Sequence, residues 1–153
     1  MANTYTQMNV QAVFSVKGRE NFLGSSFREK LFEYISGILK GVGQFPLAVN
    51  GGRDHVHIFF ELNPSTSVAD VMEKVKANSS KWINEGRFIA GRFEWQRGYG
   101  AFTYSRSQRD RMINYIANQE LHHRRKSFKE EYLELLKRFE IEFDERYIFE
   151  FYE

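Results

Sequence analysis

Two short sets of residues carry the side chains that could do chemistry in this chain. The first is His55-Val56-His57, in which one apolar residue separates two imidazoles. Successive side chains of a β-strand point to opposite faces, so both rings would stand on one face, about 7 Å apart along the strand. Neutral imidazoles bind divalent metals, and open positions at such a metal accept a substrate. The pair indicates either a metal site or two solvent-facing histidines of an ordinary strand.

The second set is Tyr115 with Gln119, one turn apart on a predicted helix. Both lie on a polar stripe, separate from the apolar stripe of Met112, Ile113 and Ile116. A tyrosine hydroxyl can act as a covalent nucleophile, and a neighbouring cation would lower its pKa. A glutamine carbonyl is a suitable ligand for Mg²⁺ or Mn²⁺. The alternative is a surface tyrosine whose ring is half packed.

Hydrophobic patterning and turn signals outline the elements that must position these residues. Alternation of apolar and polar residues predicts strands, and Asn50-Gly51-Gly52 is the signal of a tight hairpin turn. We expect four strands, over residues 6–16, 45–49, 54–62 and 93–104, the last bent at Gly98 and Gly100. We also expect four helices. The first begins at a capping box Ser26–Glu29, the second at Ser67 with Asp70, the third at about residue 107 and the fourth at a capping box Ser127–Glu130.

The order of these elements predicts the fold class. Strand, helix, strand, strand, helix, strand is the split βαβ order. We therefore predict an α+β protein: a ferredoxin-like split βαβ sandwich, with an antiparallel sheet, helices on one face, and C-terminal helices that carry Tyr115. We expect a single domain over 1–153, with a core at about 5–124 and a C-terminal helix and acidic aromatic tail at about 127–153. In the tail, aromatic residues alternate at Tyr147, Phe149 and Phe151. This alternation predicts an added strand or a contact with a partner.

Composition excludes several classes of protein. The 153 residues are 42% hydrophobic, which is enough for a core and favours one domain. There is no cysteine, so a disulfide framework and a thiolate metal site are both excluded. No apolar run approaches the ~20 residues of a membrane span, and residues 1–11 lack the apolar region of a signal peptide. We expect a cytoplasmic protein without membrane contact.

The charge is unevenly distributed along the chain. The net charge is +2, but residues 140–153 hold six acids and one base. Residues 87–125 contain eight arginines, no lysine and three acids. Because arginine binds phosphate in a planar, bidentate way, this arginine-rich segment favours a polyanionic partner. Charge alone is equally compatible with an ordinary, mildly basic surface.

Taken together, the motifs resemble one family. Asp54-His55-Val56-His57 resembles the HUH motif, and Tyr115-Ile116-Ala117-Asn118-Gln119 is similar to the Tyr-x-x-x-Gln helix of single-tyrosine HUH transposases (transposase A type) of small insertion sequences. Further stretches that look like this family cover residues 13–19, 79–83, 95–102 and 122–128. The similarity covers nearly the whole chain in order.

The resemblance implies a metal-dependent DNA transposase. His55, His57 and Gln119 would bind one Mg²⁺ or Mn²⁺ that grips the scissile phosphate of single-stranded DNA. Tyr115 would attack phosphorus, giving a 5′-phosphotyrosine link and a free 3′-hydroxyl, and strand transfer would reverse the step at an insertion-sequence end. The resemblance also implies a bacterial or archaeal cell, hairpins in the DNA, and a homodimer in which Tyr115 can act in trans.

Several residues have a less certain place in this scheme. The candidate DNA contacts are Arg87, Arg92, Arg97, Arg106, Arg109 and Arg111. Trp95 and Tyr99 are either stacking platforms for bases or part of the packed core, and packing is the simpler interpretation. No role follows from the sequence for His122 and His123, whose default place is an exposed helix end.

Three alternative functions remain open at this point. One is another HUH nickase, such as a replication initiator or relaxase, although those are usually larger and often have extra tyrosines. Another is a non-catalytic ferredoxin-like nucleic-acid-binding module, for which the histidine pair and Gln119 would be coincidental. A third is a host-domesticated copy that cuts DNA but has lost its mobility.

Overall fold

A four-stranded antiparallel sheet lies at the centre of the computed structural model, which describes residues 3–152. Its strands are β1 (Asn9–Ser15), β2 (Phe45–Gly51), β3 (His55–Glu61) and β4 (Gly100–Tyr104). The strand order is β2-β3-β1-β4, and every neighbouring pair is antiparallel. This is the order of the predicted ferredoxin-like fold, which the structure confirms.

Helices α1 (Arg28–Gly41) and α2 (Val68–Gly86) cover one face of the sheet. The alternating apolar side chains of β1 and β3 that pack beneath them are Val10, Ala12, Phe14, Val56, Ile58 and Phe60. Helix α2 begins as predicted, because the Ser67 side chain accepts a hydrogen bond from the Asp70 amide at 3.1 Å.

The predicted capping box of Ser26 and Glu29 is wrong. Helix α1 begins after Phe27 without a side-chain cap. A backbone turn takes its place, in which the Gly24 carbonyl accepts from the amides of Phe27 and Arg28 at 3.2 and 3.0 Å. The turn buries the Phe27 ring in the core. Burial of an aromatic ring thus decides where this helix starts.

Three C-terminal helices cover the opposite face of the sheet. They are α3 (Arg109–Ala117), α4 (Gln119–His122) and α5 (Phe128–Arg138). A second hydrophobic cluster lies between them and the sheet, and it includes Val13, Phe59, Phe102, Tyr104, Met112, Ile116, Phe128, Tyr132, Leu135 and Leu136. The strand face that carries the histidine pair is therefore an interior surface rather than an open one.

Strand β4 is shorter than the sequence predicts. Residues 93–99 leave the sheet, where only a single bridge joins Trp95 to Val16. Gly98 has a φ of 83°, which interrupts the extended chain. The Lys76 ammonium donates to the carbonyls of Gln96 and Gly98 at 2.7 and 2.9 Å, and so fixes the irregular segment onto α2.

The tail packs on its own chain and forms no strand over its described residues. The Phe149 ring lies 4.9 Å from that of Tyr132, and Phe151 lies 5.5 Å from Phe128. The Tyr152 hydroxyl accepts a hydrogen bond from the Gly18 amide at 2.7 Å. Tyr147 stays 80% exposed. Over residues 3–152, no helix combines the length and apolar character needed to span a membrane.

Candidate active site

The hairpin of β2 and β3 places the histidine pair under the C-terminal helices. His55 and His57 are 1% and 0% exposed. Strand β2 continues through Gly51, so the turn begins later than predicted. A Cβ at Gly51 would lie 2.2 Å from the His55 carbonyl oxygen, so only glycine permits this close approach of the two strands. The alternative of two solvent-facing histidines is wrong.

The predicted third helix is broken beside the histidines. Helix α3 ends at Ala117, and Asn118, with φ −102° and ψ 28°, separates it from α4. The Asn50 amide of β2 donates to the carbonyls of Ile116 and Ala117 at 3.0 and 3.1 Å, which holds the break against the sheet. Gln119, the first residue of α4, is consequently fully buried within the site.

Glu131 of α5 completes the cluster and was not identified from the sequence. Its Oε1 lies 3.0 Å from Nε2 of His57 and 3.8 Å from Nε2 of His55. Its Oε2 accepts hydrogen bonds from the Tyr115 hydroxyl and, at 3.1 Å, from Nε2 of Gln119. Helical periodicity could have identified it, because Glu131 is a charged residue on the apolar stripe of α5. A charged side chain in such a position is rarely buried without a partner.

The charges within the cluster follow from these contacts. Burial alone would raise the pKa of Glu131, but His57 and the hydrogen bonds from His123 and His57 hold that pKa well below its ordinary value. Glu131 is therefore a carboxylate. Burial, together with the negative charge of Glu131, raises the pKa of Tyr115 above its ordinary value, so its hydroxyl is protonated.

His55 presents a lone pair to the site. Burial lowers its pKa, despite the opposing effect of Asp54, so the ring is neutral. Its Nδ1 lies 2.7 Å from Oδ1 of Asp54, an acceptor, and therefore carries the ring proton. The unprotonated Nε2 faces Oε1 of Gln119 at 3.2 Å. In this tautomer both atoms are acceptors, and a cation bound beside them would satisfy both.

The donor set and its spacing fit a divalent metal. Ligand atoms of His55, His57 and Glu131 all lie within 4.8 Å of one another. The contacts of 3.0 Å (His57–Glu131) and 3.2 Å (His55–Gln119) approach the ~3 Å that separates adjacent ligands of an octahedral site with ~2.1 Å bonds. Imidazole nitrogens with carboxylate and amide oxygens suit Mn²⁺ or Mg²⁺.

His122 and His123 both contact the site. The expectation that they occupy an exposed helix end is therefore wrong. The His122 ring lies against Tyr115, with centroids 4.5 Å apart. Nε2 of His123 lies 3.0 Å from Oε1 of Gln119 and 3.3 Å from Oε1 of Glu131. Burial would lower the pKa of His123, but the hydrogen bond to Glu131 raises it above its ordinary value.

The predicted DNA-contact arginines lie away from the cluster. Arg109 is held by Glu61 at 3.3 Å and by Oδ1 of Asn9 at 2.9 Å, so it fastens α3 to the sheet. The others are exposed: Arg87, Arg92, Arg97, Arg106 and Arg111. Trp95 belongs to the core, where its Nε1 donates to the Ser79 hydroxyl at 3.0 Å.

A cavity of about 450 Å³ opens beside the cluster and is lined by a different set of arginines. His55 and His123 are among the residues that line it. The arginines that line it are Arg28, Arg53 and Arg124. Arg53 lies over the Phe22 ring at 4.9 Å, and Arg28 donates to the Leu23 carbonyl at 3.1 Å. These two contacts hold cationic groups at the cavity wall.

Comparison with known proteins gives consistent results. No curated protein matches the chain significantly. A protein from Deinococcus radiodurans R1 described as a transposase is 19% identical, with a TM-score of 0.61, over 78% of this chain and 95% of that one. A REP-associated tyrosine transposase bound to a REP hairpin is 12% identical, with a TM-score of 0.59, over 80% of this chain and 73% of that one. At these identities, both structures show a shared fold.

The family model of IS200-like transposases matches residues 4–119. The match includes β3 with its histidine pair, the tyrosine of α3 and Gln119, and it ends before Glu131. It covers most of the chain, and the buried His55–His57–Glu131 cluster is consistent with the HUH metal site. The chain belongs to the IS200-like transposase family, whose members are DNA-processing enzymes.

Proposed function

We propose that this protein is a single-tyrosine transposase that cuts and rejoins single-stranded DNA at insertion-sequence ends. Tyr115 is the nucleophile. A divalent metal, Mg²⁺ or Mn²⁺, is held by His55, His57 and Gln119, with Glu131 as a fourth ligand. The observation that carries the proposal is the convergence of Nε2 of His55 and Oε1 of Gln119 beside a buried carboxylate that also contacts the tyrosine hydroxyl.

The bound metal would supply Lewis-acid polarisation of the scissile phosphate. Tyr115 Oη attacks phosphorus, and the bond from phosphorus to the 3′-oxygen of the preceding nucleotide breaks. The tyrosine proton passes to Oε2 of Glu131, which already accepts the hydrogen bond from that hydroxyl, and then to the departing 3′-oxygen. The products are a 5′-phosphotyrosine link and a 3′-hydroxyl. Attack by another 3′-hydroxyl reverses these changes and joins the new strands.

Water exclusion supports the rejoining step. His55, His57, Gln119 and Glu131 are all buried, and the Phe128 ring stacks on His55 at 4.0 Å. A phosphotyrosine formed in such a site is shielded from hydrolysis on the side of the helices. The bond energy is then kept for strand transfer, so neither ATP nor another nucleotide is required.

The arginine-lined cavity beside His55 is the proposed path of the DNA strand. Arg28, Arg53 and Arg124 line it together with His55, whereas the arginines proposed from sequence do not. Single-stranded DNA binds to such grooves through its phosphates. The REP-associated relative is bound to a hairpin, and we extend hairpin recognition to this chain as part of the proposal.

The proposed assembly is a homodimer with one site for each element end. In the structure, Tyr115 contacts Glu131 of its own chain, so the geometry supports a site complete in cis. Each chain of the dimer would then contain a complete site, and neither chain would supply Tyr115 to its partner's site. Light scattering tests the stoichiometry, and a monomer at working concentration would contradict the two-ended assembly.

A covalent-adduct assay tests the proposed function. The protein is incubated with single-stranded DNA that contains the element's own hairpin and cleavage site, with Mn²⁺, and then resolved on a denaturing gel. We expect a DNA-linked band that disappears with Tyr115→Phe and is retained with Tyr99→Phe, a matched tyrosine outside the cluster. An equal band with Tyr115→Phe would contradict the assigned nucleophile. No band with any substrate would favour the nucleic-acid-binding module.

A further inference from the structure

A line of buried polar groups lies behind the candidate metal ligands. Gln11 of β1 is fully buried, and its Nε2 lies 2.9 Å from Nδ1 of His57. The Tyr104 hydroxyl of β4 donates to Oε1 of Gln11 at 2.6 Å. All three side chains point to the sheet face covered by the C-terminal helices. No part of the proposed mechanism yet uses Gln11 or Tyr104.

The side chains of Tyr104, Gln11 and His57 can pair in two ways when the His57 ring is neutral. In the first, Tyr104 donates to Gln11, Gln11 donates to Nδ1 of His57, and Nε2–H of His57 donates to Glu131, 3.0 Å away. In the second, the Gln11 amide is turned over, so Nδ1–H of His57 donates to Gln11 Oε1 and Gln11 Nε2 donates to Tyr104. Burial raises the pKa of Tyr104 to about 12, so its hydroxyl keeps its proton and can serve in either pattern.

Metal binding distinguishes the two patterns. A histidine that binds a cation through Nε2 must carry its proton on Nδ1, and that proton needs an acceptor. For His55 the acceptor is Asp54, a fixed carboxylate at 2.7 Å. For His57 the only group at Nδ1, among residues 3–152, is the Gln11 amide, which can offer its oxygen or its nitrogen.

We propose that Gln11, backed by the Tyr104 hydroxyl, is the positioning residue that makes His57 a metal ligand by accepting its Nδ1 proton. The inference rests on the proposed function, because it concerns the same metal. His55 is thus permanently set for binding by Asp54, whereas His57 becomes a ligand when the Gln11 amide turns over. Tyr104 serves both orientations because a hydroxyl can donate or accept.

Two variants, compared with wild type, test the proposal through metal affinity in the absence of DNA. Mn²⁺ is titrated by calorimetry into wild type, Gln11→Leu and Gln11→Glu. We expect Gln11→Leu to weaken binding by about 10- to 100-fold, the usual effect of losing such a partner. We expect Gln11→Glu, which offers only acceptor oxygens to Nδ1, to bind at least as tightly as wild type. A space-filling role predicts the opposite order, since leucine fills a buried site better than a carboxylate.

Tyr104→Phe provides a further measurement if either Gln11 variant fails to fold. It leaves Gln11 in place without its backing partner, and we expect a smaller loss of Mn²⁺ affinity, below that of Gln11→Leu. Nitrogen-15 spectra of the Mg²⁺-loaded protein should show the His57 proton on Nδ1. Its assignment to Nε2 would overturn the proposal. So would unchanged affinity in Gln11→Leu or, where that variant does not fold, in Tyr104→Phe.

The same titration separates this inference from the proposed function. If wild type and His57→Ala bind Mn²⁺ equally, the metal site itself is wrong, and the role of Gln11 is lost with it. If His57→Ala abolishes binding while Gln11→Leu leaves it unchanged, only the role of Gln11 is wrong.

Discussion

The Tyr115 hydroxyl donates a hydrogen bond to Oε2 of Glu131, a carboxylate whose other oxygen lies among the histidines. One side chain thus contacts the candidate nucleophile and the candidate metal ligands at the same time. The carboxylate holds the hydroxyl in place, but its charge also raises the pKa of that hydroxyl. A divalent cation bound at the cluster would offset this charge and so lower the pKa of Tyr115.

Replacement of Glu131 by glutamine should impair both metal binding and cleavage. The amide has the same shape, but it lacks the negative charge and accepts a proton far less readily. We expect Mn²⁺ affinity to fall about tenfold or more, as for the loss of other groups that support a metal, and adduct formation to fall with it. Glu130→Gln, one residue earlier and exposed, is the matched control and should change neither quantity. Equal Mn²⁺ affinity in the two variants would remove Glu131 from the metal site.

Mixing two inactive variants should not restore activity if the site is complete in one chain. Tyr115→Phe lacks the nucleophile and His57→Ala lacks a metal ligand, so neither forms an adduct alone. With Tyr115 acting in cis, as its contact with Glu131 indicates, mixed dimers contain no intact site and give no adduct. An adduct on the His57→Ala chain in the mixture would show instead that Tyr115 enters the partner's site.

Removal of arginines at the cavity should weaken binding of single-stranded DNA. We expect Arg53→Ala and Arg124→Ala each to lower affinity and to reduce the slope of log K against log salt by about 0.7, the value for one phosphate contact on a single strand. Arg111→Ala, an exposed arginine outside the cavity, should leave the slope unchanged. A loss confined to Arg111→Ala would instead favour the DNA path proposed from sequence.

The stability of the EDTA-treated protein should be greatest near pH 6.5. The pKa of His123 is raised in the folded state, so its contribution is complete below 6.5 and lost as pH rises through the folded value. The pKa of His55 is lowered, so its contribution is lost as pH falls below 6.5. Glu131, whose folded pKa is also lowered, adds a further loss below about 4.5.

Urea unfolding at several pH values between 4 and 9 measures this profile. Replacement of His123 by asparagine should flatten the decline above pH 6.5. It should also reduce the loss of stability below about pH 4.5, because the hydrogen bond from His123 helps to lower the pKa of Glu131. A wild-type free energy of unfolding that rises steadily from pH 6 to pH 9 would contradict the assigned shifts.

Local patterns in the sequence predicted much of this molecule. Helix caps at Ser67 and Ser127, the alternation of β1, and the shared face of His55 and His57 depend on residues close together in the chain. Such features are encoded by spacing, and the structure confirms them. The order of strands and helices then fixed the sheet topology, since few arrangements connect these elements.

The remaining features depend on contacts between distant parts of the chain. Glu131 meets His57 across 74 positions, and no local pattern identifies its partner. The break at Asn118 is held by Asn50, 66 and 67 positions from the two carbonyls that it binds. The burial of the histidine face likewise requires α3 to α5 to dock on the sheet, which spacing alone does not specify.

The position of α5 late in the chain has a consequence for the order of synthesis. Domains are made from the N-terminus at about 5–20 residues per second, so His55, Tyr115 and Gln119 all leave the ribosome before Glu131. A nascent chain without α5 has both histidines and the tyrosine, but not the carboxylate that joins them. The proposed DNA-cutting centre can therefore be completed only after the sheet that supports it has been made.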